Sequence, residues 1–212
     1  MFVNIHTHTT PNTKYPAIRN LDFAEAEVFF SSNEKAWVSV GIHPWDVVFF
    51  KEELLTFIEK WSADERLVAI GECGLDKNGD ATIEKQLDVL SKQIDISELV
   101  RKPLIIHCVG CFNELLELKK TIKPKQLWII HGFRGKPQLA EQVLKTGCAL
   151  SFGKYFNPDS VRVTPLEKIF VETDESQQQI EEIYRQIAVA KNCNPTDINA
   201  GWIFFQQIQS TK

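Results

Sequence analysis

His6 and His8 stand two residues apart at the end of the apolar run Phe2–Ile5. Residues so spaced on a strand point to one face, so both imidazoles can reach a single metal ion from one rigid support. An H-x-H pair alone is equally well explained by two unrelated histidines. The rest of the chain raises its value, because all five histidines lie at or just after an apolar strand-like run. His43 follows Trp37–Ile42, His107 follows Leu104–Ile106 and His131 follows Leu127–Ile130. Two acidic residues obey the same rule, Glu72 after Leu67–Ile70 and Asp174 after Ile169–Val171. His6, His8, Glu72, His107, His131 and Asp174 form a donor set larger than one tetrahedral zinc uses, and a carboxylate such as Glu72 can bridge two ions through its two oxygens. Two divalent ions are the economical reading. Their charge outweighs that of the two carboxylates, so the site attracts an anion although the chain's net charge is −4.

The elements that would position these groups alternate along the chain. Candidate strands are Phe2–Ile5, Val28–Phe30, Trp37–Ile42, Leu67–Ile70, Leu104–Ile106, Leu127–Ile130, Ala149–Phe152 and Ile169–Val171, short and often apolar on both faces, as parallel strands beneath helices are. Between them Ile83, Leu87, Leu90 and Ile94 make a helical stripe, and Ile180, Ile183, Tyr184 and Ile187 another. Leu54, Ile58 and Trp61 give a third, Pro137 can open a helix, and a last helix is expected near Pro195 with Ile198, Trp202 and Phe205 facing inward. Strands so interleaved predict a TIM-like (β/α) barrel, in which functional groups converge where the strands end at their C-terminal side. Such barrels usually take about 250 residues, and the chain has 212. The shortfall falls in the N-terminal third. Only Ser31–Ala36 separates the second and third candidate strands, too few for the roughly ten to twelve residues of a parallel crossover. Either those strands form an antiparallel hairpin or the second is not a barrel strand. The polar, Pro-interrupted segment Thr9–Asn20 predicts a missing or vestigial first helix.

Composition narrows the function classes. With 43% hydrophobic and 25% charged residues the chain is expected to fold as one globular domain, and its acidic balance provides no global positive field for a long duplex. No apolar run reaches the roughly 20 residues that span a bilayer, and the start resembles no signal peptide, so a cytoplasmic protein without membrane contact is expected. The five cysteines are odd in number, and the Cys108-x-x-Cys111 pair has no matching second pair, so reduced, packed thiols are expected.

Read together, the strand-end motifs resemble the TatD-type metal-dependent hydrolases, many of which are described as deoxyribonucleases. The resemblance rests on N-I-H-T-H at Asn4–His8, G-I-H-P-W at Gly41–Trp45, G-E-C-G-L-D at Gly71–Asp76, I-I-H at Ile105–His107, H-G-F-R-G at His131–Gly135 and E-T-D at Glu172–Asp174. It extends to T-P-L-E-K-I-F-V at Thr164–Val171 and to Asn199-Ala200 before an aromatic-rich end. It implies one metallohydrolase domain over residues 1–212 in which His6, His8, Glu72 and Asp174 hold one ion and Glu72, His107 and His131 the other. It also implies Asp174, Glu72 and His43 as catalytic groups, with His43 near the scissile bond as hydrogen-bond donor or acid–base residue. The same imidazole could instead cap the Gly41–Trp45 turn. Such His-rich donors suit zinc, manganese, iron or nickel, while magnesium, which prefers oxygen, stays among the candidates. The chain departs from the family's pattern at Asn4, where Asp is frequent, at Val109, where an Arg often follows the histidine, at Ser176, where Pro is frequent, and in its short first third.

The function so implied is a phosphodiesterase or deoxyribonuclease in which a metal-activated hydroxide attacks phosphorus, with DNA or another phosphodiester as partner. The lost arginine could be replaced by Arg134, Lys77 or Lys154. Two further readings stay open: an amidohydrolase-like enzyme cleaving C–N or ester bonds with the same metals, and a non-catalytic metal-binding scaffold. The second draws on Phe29, Phe30, Phe49 and Phe50, which would form an apolar flank fit for a partner or a homodimer interface if no helix covered them.

Overall fold

The computed structural model describes residues 1–10 and 14–210, so Pro11–Thr13 of the polar early segment lie outside the described residues. Strands β1 (Asn4–Thr7), β2 (Ala17–Leu21), β3 (Trp37–Val40), β4 (Leu67–Asp76), β5 (Leu104–Val109), β6 (Trp128–Ile130), β7 (Ala149–Phe152) and β8 (Ile169–Val171) alternate with helices. These are α1 (Phe23–Phe30), α2 (Glu52–Trp61), α3 (Ile83–Val100), α4 (Phe112–Ile122), α5 (Pro137–Lys145), α6 (Pro158–Val163), α7 (Ile180–Lys191) and α8 (Ala200–Ser210). The alternation is that of the (β/α)₈ class, shortened at its start: among the described residues no helix lies between β1 and β2, and α1 has only eight residues. The chain divides into two compact units, Met1–Arg19 with Ile129–Lys212, and Asn20–Trp128.

In the first unit, β6, β7 and β8 pair in parallel through Ile130 with Leu150 and Phe152 with Val171. There β1 pairs with β2 through Asn4 and Ala17, and Thr7 bridges in parallel to Asp174 beyond β8. Helix α7 buries Ile180, Ile183, Tyr184 and Ile187 as their spacing requires. The Tyr184 hydroxyl donates to the Val3 carbonyl at 3.0 Å, fastening the start of the chain. The terminal segment opens with a 3₁₀ turn at Pro195–Asp197, and Ile198 and Phe205 are buried while Trp202 is half-buried.

In the second unit β3, β4 and β5 pair in parallel, Val40 with Ile70 and Gly74 with His107. All ten residues of β4 are buried, as in a strand covered on both faces. Helix α3 buries Leu90 and Ile94 of the apolar stripe, but Ile83 and Leu87 are half-buried while Gln86 and Gln93 are fully covered. Each glutamine clamps a backbone segment. Gln93 accepts from Ile42 N–H at 2.7 Å and donates to Ile42 carbonyl at 3.2 Å, and Gln86 does the same for Asp76 at 2.8 and 3.0 Å. A buried amide that meets both backbone groups of one residue offsets its own desolvation.

Val28–Phe30 is not a strand. It is the last turn of α1, opened by a capping box in which Asp22 accepts from Glu25 N–H at 2.8 Å. Three apolar residues cannot distinguish a buried strand from the end of a helix, and the local cap decides. The second strand is instead Ala17–Leu21, which begins inside the segment read as polar and ends one residue beyond it. Phe29 and Phe30 do not form an exposed flank: both are buried, with Phe30 stacked on Trp61 at 4.8 Å and the Arg66 guanidinium over both rings. Phe50 is half-buried and Phe49 remains exposed. All five cysteines are free thiols, and burial pushes the Cys108 thiol up, away from the reactive thiolate. No helix among the described residues is long and apolar enough to cross a membrane.

Candidate metal centres

The first unit carries His6, His8, His131 and Asp174. His6 is a buried residue of β1 and His8 follows the strand, so the pleat sends both rings to the same side, their centroids 4.9 Å apart. Asp174 meets them from the far side of the strand pair. Its backbone N–H donates to His6 carbonyl at 3.1 Å and its carbonyl accepts from His8 N–H at 3.3 Å, with φ at 55°, a left-handed conformation that aspartate tolerates. Asn4 braces this junction. Its amide donates to Thr173 Oγ1 at 2.8 Å and its carbonyl accepts from Thr173 N–H at 3.0 Å, while Thr173 Oγ1 donates to Thr7 Oγ1 at 3.1 Å.

The outcome is a triad of donors around one point. His6 Nε2 and His8 Nε2 lie 3.8 and 3.6 Å from Asp174 Oδ1. Donors bound to one ion at about 2.1 Å in a tetrahedral arrangement stand about 3.4 Å from one another, whereas a hydrogen bond needs less than about 3.2 Å. The observed spacings fit ligands of a shared ion better than hydrogen-bonded partners. His6, His8 and Asp174 therefore suit a divalent cation, as two imidazoles and one carboxylate do chemically.

His131 directly follows β6, its ring 4.5 Å from that of His6. Its Nδ1 lies 3.4 Å from Oε1 of Glu172, a fully buried carboxylate that also accepts from Gly132 N–H at 2.7 Å. Burial pushes the Glu172 carboxyl up, but His131 and His6 outweigh this and hold it below its ordinary value.

The second unit carries Glu72, His107 and His43. Glu72 and His107 are not beyond their strands, as the apolar runs suggest, but inside the longer β4 and β5. Strand β4 continues because glycines sit where side chains cannot: Gly71 and Gly74 have φ of 123° and 148°, and a β-carbon at either would collide with a carbonyl oxygen of β5. The register shifts between Ile70 and Cys73, which brings Glu72 into the irregular stretch. Its N–H donates to Asn20 Oδ1 at 2.7 Å, and Asn20 also accepts from the Ser39 hydroxyl at 3.0 Å.

His107 is held at both ring nitrogens, Nδ1 at 2.9 Å from Glu72 Oε1 and Nε2 at 3.0 Å from Asp76 Oδ2. Asp76 in turn accepts from Trp45 Nε1–H at 2.9 Å and Asn78 N–H at 2.8 Å. Burial pushes the Asp76 carboxyl up, while these bonds, that from Asn78 foremost, hold it below its ordinary value. His43 does two things at once. Its Nδ1 accepts from Trp45 N–H at 3.2 Å and caps the 3₁₀ turn Pro44–Phe49, and its Nε2 lies 3.3 Å from Glu72 Oε1. His43, Glu72 and His107 thus make a second group of donors able to hold an ion.

The structure therefore brings His6, His8, His131 and Asp174 together in the first unit and His43, Glu72 and His107 in the second. The motif reading passed over Asp76 and Glu172 as partners of His107 and His131. A signal was present, since Glu72 and Asp76 are four apart on β4 and Glu172 and Asp174 two apart, spacings that favour a common face.

Known proteins resemble this chain in sequence and in fold. A model of the TatD-related DNase family matches residues 5–200. An uncharacterised metal-dependent hydrolase of Buchnera aphidicola is 30% identical over 156 residues, 69% of this chain and 58% of that protein. The 3′-5′ RNA nuclease TATDN2 of Homo sapiens is 30% identical over 150 residues, 65% of this chain and 20% of that protein. The match thus spans less than three-fifths of either relative's length. The solved structure of YjjV, a TatD homologue from Escherichia coli K12, superposes with a TM-score of 0.82 at 18% identity, covering 98% of this chain and 97% of that one, which establishes the TIM-like (β/α) barrel fold.

Proposed function

The chain belongs to the TatD-related DNase family, and from that premise we propose that it is a metal-dependent hydrolase of phosphodiester bonds acting on nucleic acid. The observation that carries the reading is the approach of His6 Nε2 and His8 Nε2 to the same Asp174 oxygen at 3.8 and 3.6 Å. His6, His8 and Asp174 would hold one divalent ion, and Glu72 with His107 a second, drawn from zinc, manganese, magnesium, iron or nickel. His131, oriented by Glu172, completes the ligand set. Bound ions would polarise the phosphoryl oxygens and make water a competent nucleophile near neutral pH.

The chain's own groups do the rest. Asp174, exposed on one side, orients the attacking water and takes its proton. In the second unit His43, held by the turn it caps, presents Nε2 beside Glu72 as a hydrogen-bond donor or acid–base group. Asp76 and Glu172 keep His107 and His131 in fixed ring orientations, as carboxylates behind metal-binding histidines do. The RNA nuclease among the relatives supports a nucleic-acid substrate.

The test is hydrolysis of a short end-labelled single-stranded DNA and its RNA counterpart by protein stripped of metal and resupplied with magnesium, manganese or zinc, with Glu72→Ala alongside. The expected result is metal-dependent cleavage by the parent and loss in the variant. Full metal-dependent turnover by Glu72→Ala would refute the ligand assignment, and no cleavage by folded parent with any metal would refute the substrate class.

A further inference from the structure

The phosphodiesterase reading leaves open how the chain grips its substrate. We propose that Arg134, Lys154 and Tyr155 form a docking site for one nucleotide of a single-stranded substrate, its phosphate on the two cations and its base against the tyrosine ring. The proposal rests on the phosphodiesterase reading and adds the site that selects a nucleotide over a bare diester.

A cavity of about 400 Å³ in the first unit is lined by Arg134, Lys154, Tyr155, Thr173, Asp174 and Ser176, among others. Its size is that of a small-ligand site, and its wall includes the carboxylate assigned to the ion and the attacking water. The Arg134 guanidinium and the Lys154 ammonium both lie 5.1 Å from the centroid of the Tyr155 ring. All three side chains are solvent-exposed, the tyrosine by 63%. Among the described residues neither cation is paired with a carboxylate. Two exposed cations in the wall of the cavity offer contacts to a phosphate beside the carboxylates of Glu172, Asp174 and Glu175, and the exposed part of the Tyr155 ring offers a surface against which any base can pack. An acidic peptide would use the charges and leave the ring without a partner. A nucleotide uses both.

The backbone holds these groups in place. Arg134 lies between Phe133, buried against Phe152, and Gly135, whose carbonyl accepts from the Ser160 hydroxyl at 2.6 Å. Phe133 N–H donates to Ser151 carbonyl at 2.9 Å. Lys154 and Tyr155 occupy a turn closed by Phe156 N–H on Gly153 carbonyl at 3.1 Å, just before the Asn157 cap of α6. Rigid supports of this kind lower the ordering cost of binding.

The test is fluorescence anisotropy of a dye-labelled trithymidylate, and of its analogue with abasic sugars, with folded protein in EDTA at low salt. Arg134→Ala is expected to weaken trithymidylate binding about tenfold and to flatten the slope of log affinity against log salt by about 0.7, the loss of one single-strand phosphate contact. Arg134→Lys should restore part of both. Tyr155→Leu should weaken trithymidylate several-fold and leave the abasic analogue unchanged, a difference that a merely structural role would not produce. Equal affinities in parent and variants, or a parent that binds neither ligand, would overturn the docking site. Failure of the hydrolysis test with every metal would overturn the phosphodiesterase reading instead, since the binding measurement uses no metal and no turnover.

Discussion

The two compact units treat their histidines differently. In the second, His107 is clamped by carboxylates at 2.9 and 3.0 Å on its two nitrogens, and Asp76 behind it is tied to Trp45 and Asn78. In the first, His6 and His8 stand 3.8 and 3.6 Å from Asp174, and strand pairing brings the backbones that carry these groups together. The β1 pleat aims the rings, the Thr7–Asp174 bridge fixes the carboxylate opposite them, and Asn4 locks the bridge through Thr173. Side-chain hydrogen bonds orient His107, and strand pairing carries His6 and His8 to Asp174. Their sensitivities to substitution should differ accordingly.

The largest effect is expected from Asp174→Ala, which removes the carboxylate of the His6, His8 and Asp174 triad. Turnover should fall by more than the roughly 100-fold that marks the upper range for groups behind a metal ligand, with one equivalent of metal lost by elemental analysis. An undiminished rate would end the comparison, because the backbone-positioned set would then do nothing.

Asp76→Asn comes next and sharpens the contrast. The amide still accepts from Trp45 but no longer presents a charged acceptor to the imidazole, so metal affinity or activity should fall about 10- to 100-fold while the circular dichroism spectrum stays that of the parent. Metal titration by calorimetry checks it. No change would mean that Asp76 does not position the His107 ring.

The same contrast explains what the sequence made legible. Every proposed ligand stands at or just past the end of an apolar run, which marks a strand, although β4 and β5 run on past Glu72 and His107. What escaped were interactions made across the fold by residues ordinary in type. Strand β2, Ala-Ile-Arg-Asn-Leu, has too few apolar residues to register, yet its Asn20 holds the Glu72 backbone. Gln86 and Gln93 read as the polar face of α3 and are instead buried clamps on Asp76 and Ile42. Asn4 looked like a departure from the family's aspartate, but its amide both donates to and accepts from Thr173, so the change is accommodated by the bond pattern.

Asn4→Ala should therefore have an intermediate effect and act on the first unit. It leaves Thr173 N–H and hydroxyl short of a partner in a buried place, a loss of about 1–3 kcal/mol, or about 2–4 °C of Tm per kcal/mol for a chain of this size. Asn4→Asp should be milder, because a carboxylate still accepts from Thr173 N–H and the hydroxyl can turn to donate. Thermal unfolding of the three proteins tests the order. If Asp proved worse than Ala, a charge beside the junction would matter more than the lost bonds.

The smallest effects concern ion pairs remote from the proposed ligands, and here too the units differ. In the second, Asp64 takes the Arg66 guanidinium through two bonds of 3.0 and 2.7 Å, and Arg66 also donates to the carbonyls of Phe29, Phe30, Ser32 and Glu34 around the end of α1. In the first, Lys14 meets Glu181 at 2.7 Å with the lysine 60% exposed. Both carboxyls are held below their ordinary values, each foremost by the hydrogen bond from its cation. A depressed carboxyl stabilises the fold above the unfolded value of about 4 and loses that contribution as the pH falls through the lowered folded value. Asp64→Asn should therefore remove about 1 kcal/mol at pH 7 and little at pH 2, flattening the acid limb of a urea-unfolding profile. Glu181→Gln should leave the profile unchanged within error, because an exposed lysine pays in side-chain entropy what the contact returns. A Glu181 effect as large as that of Asp64 would show that the hydrogen-bond geometry, and not the shelter of the Arg66 cap, sets the value of these pairs.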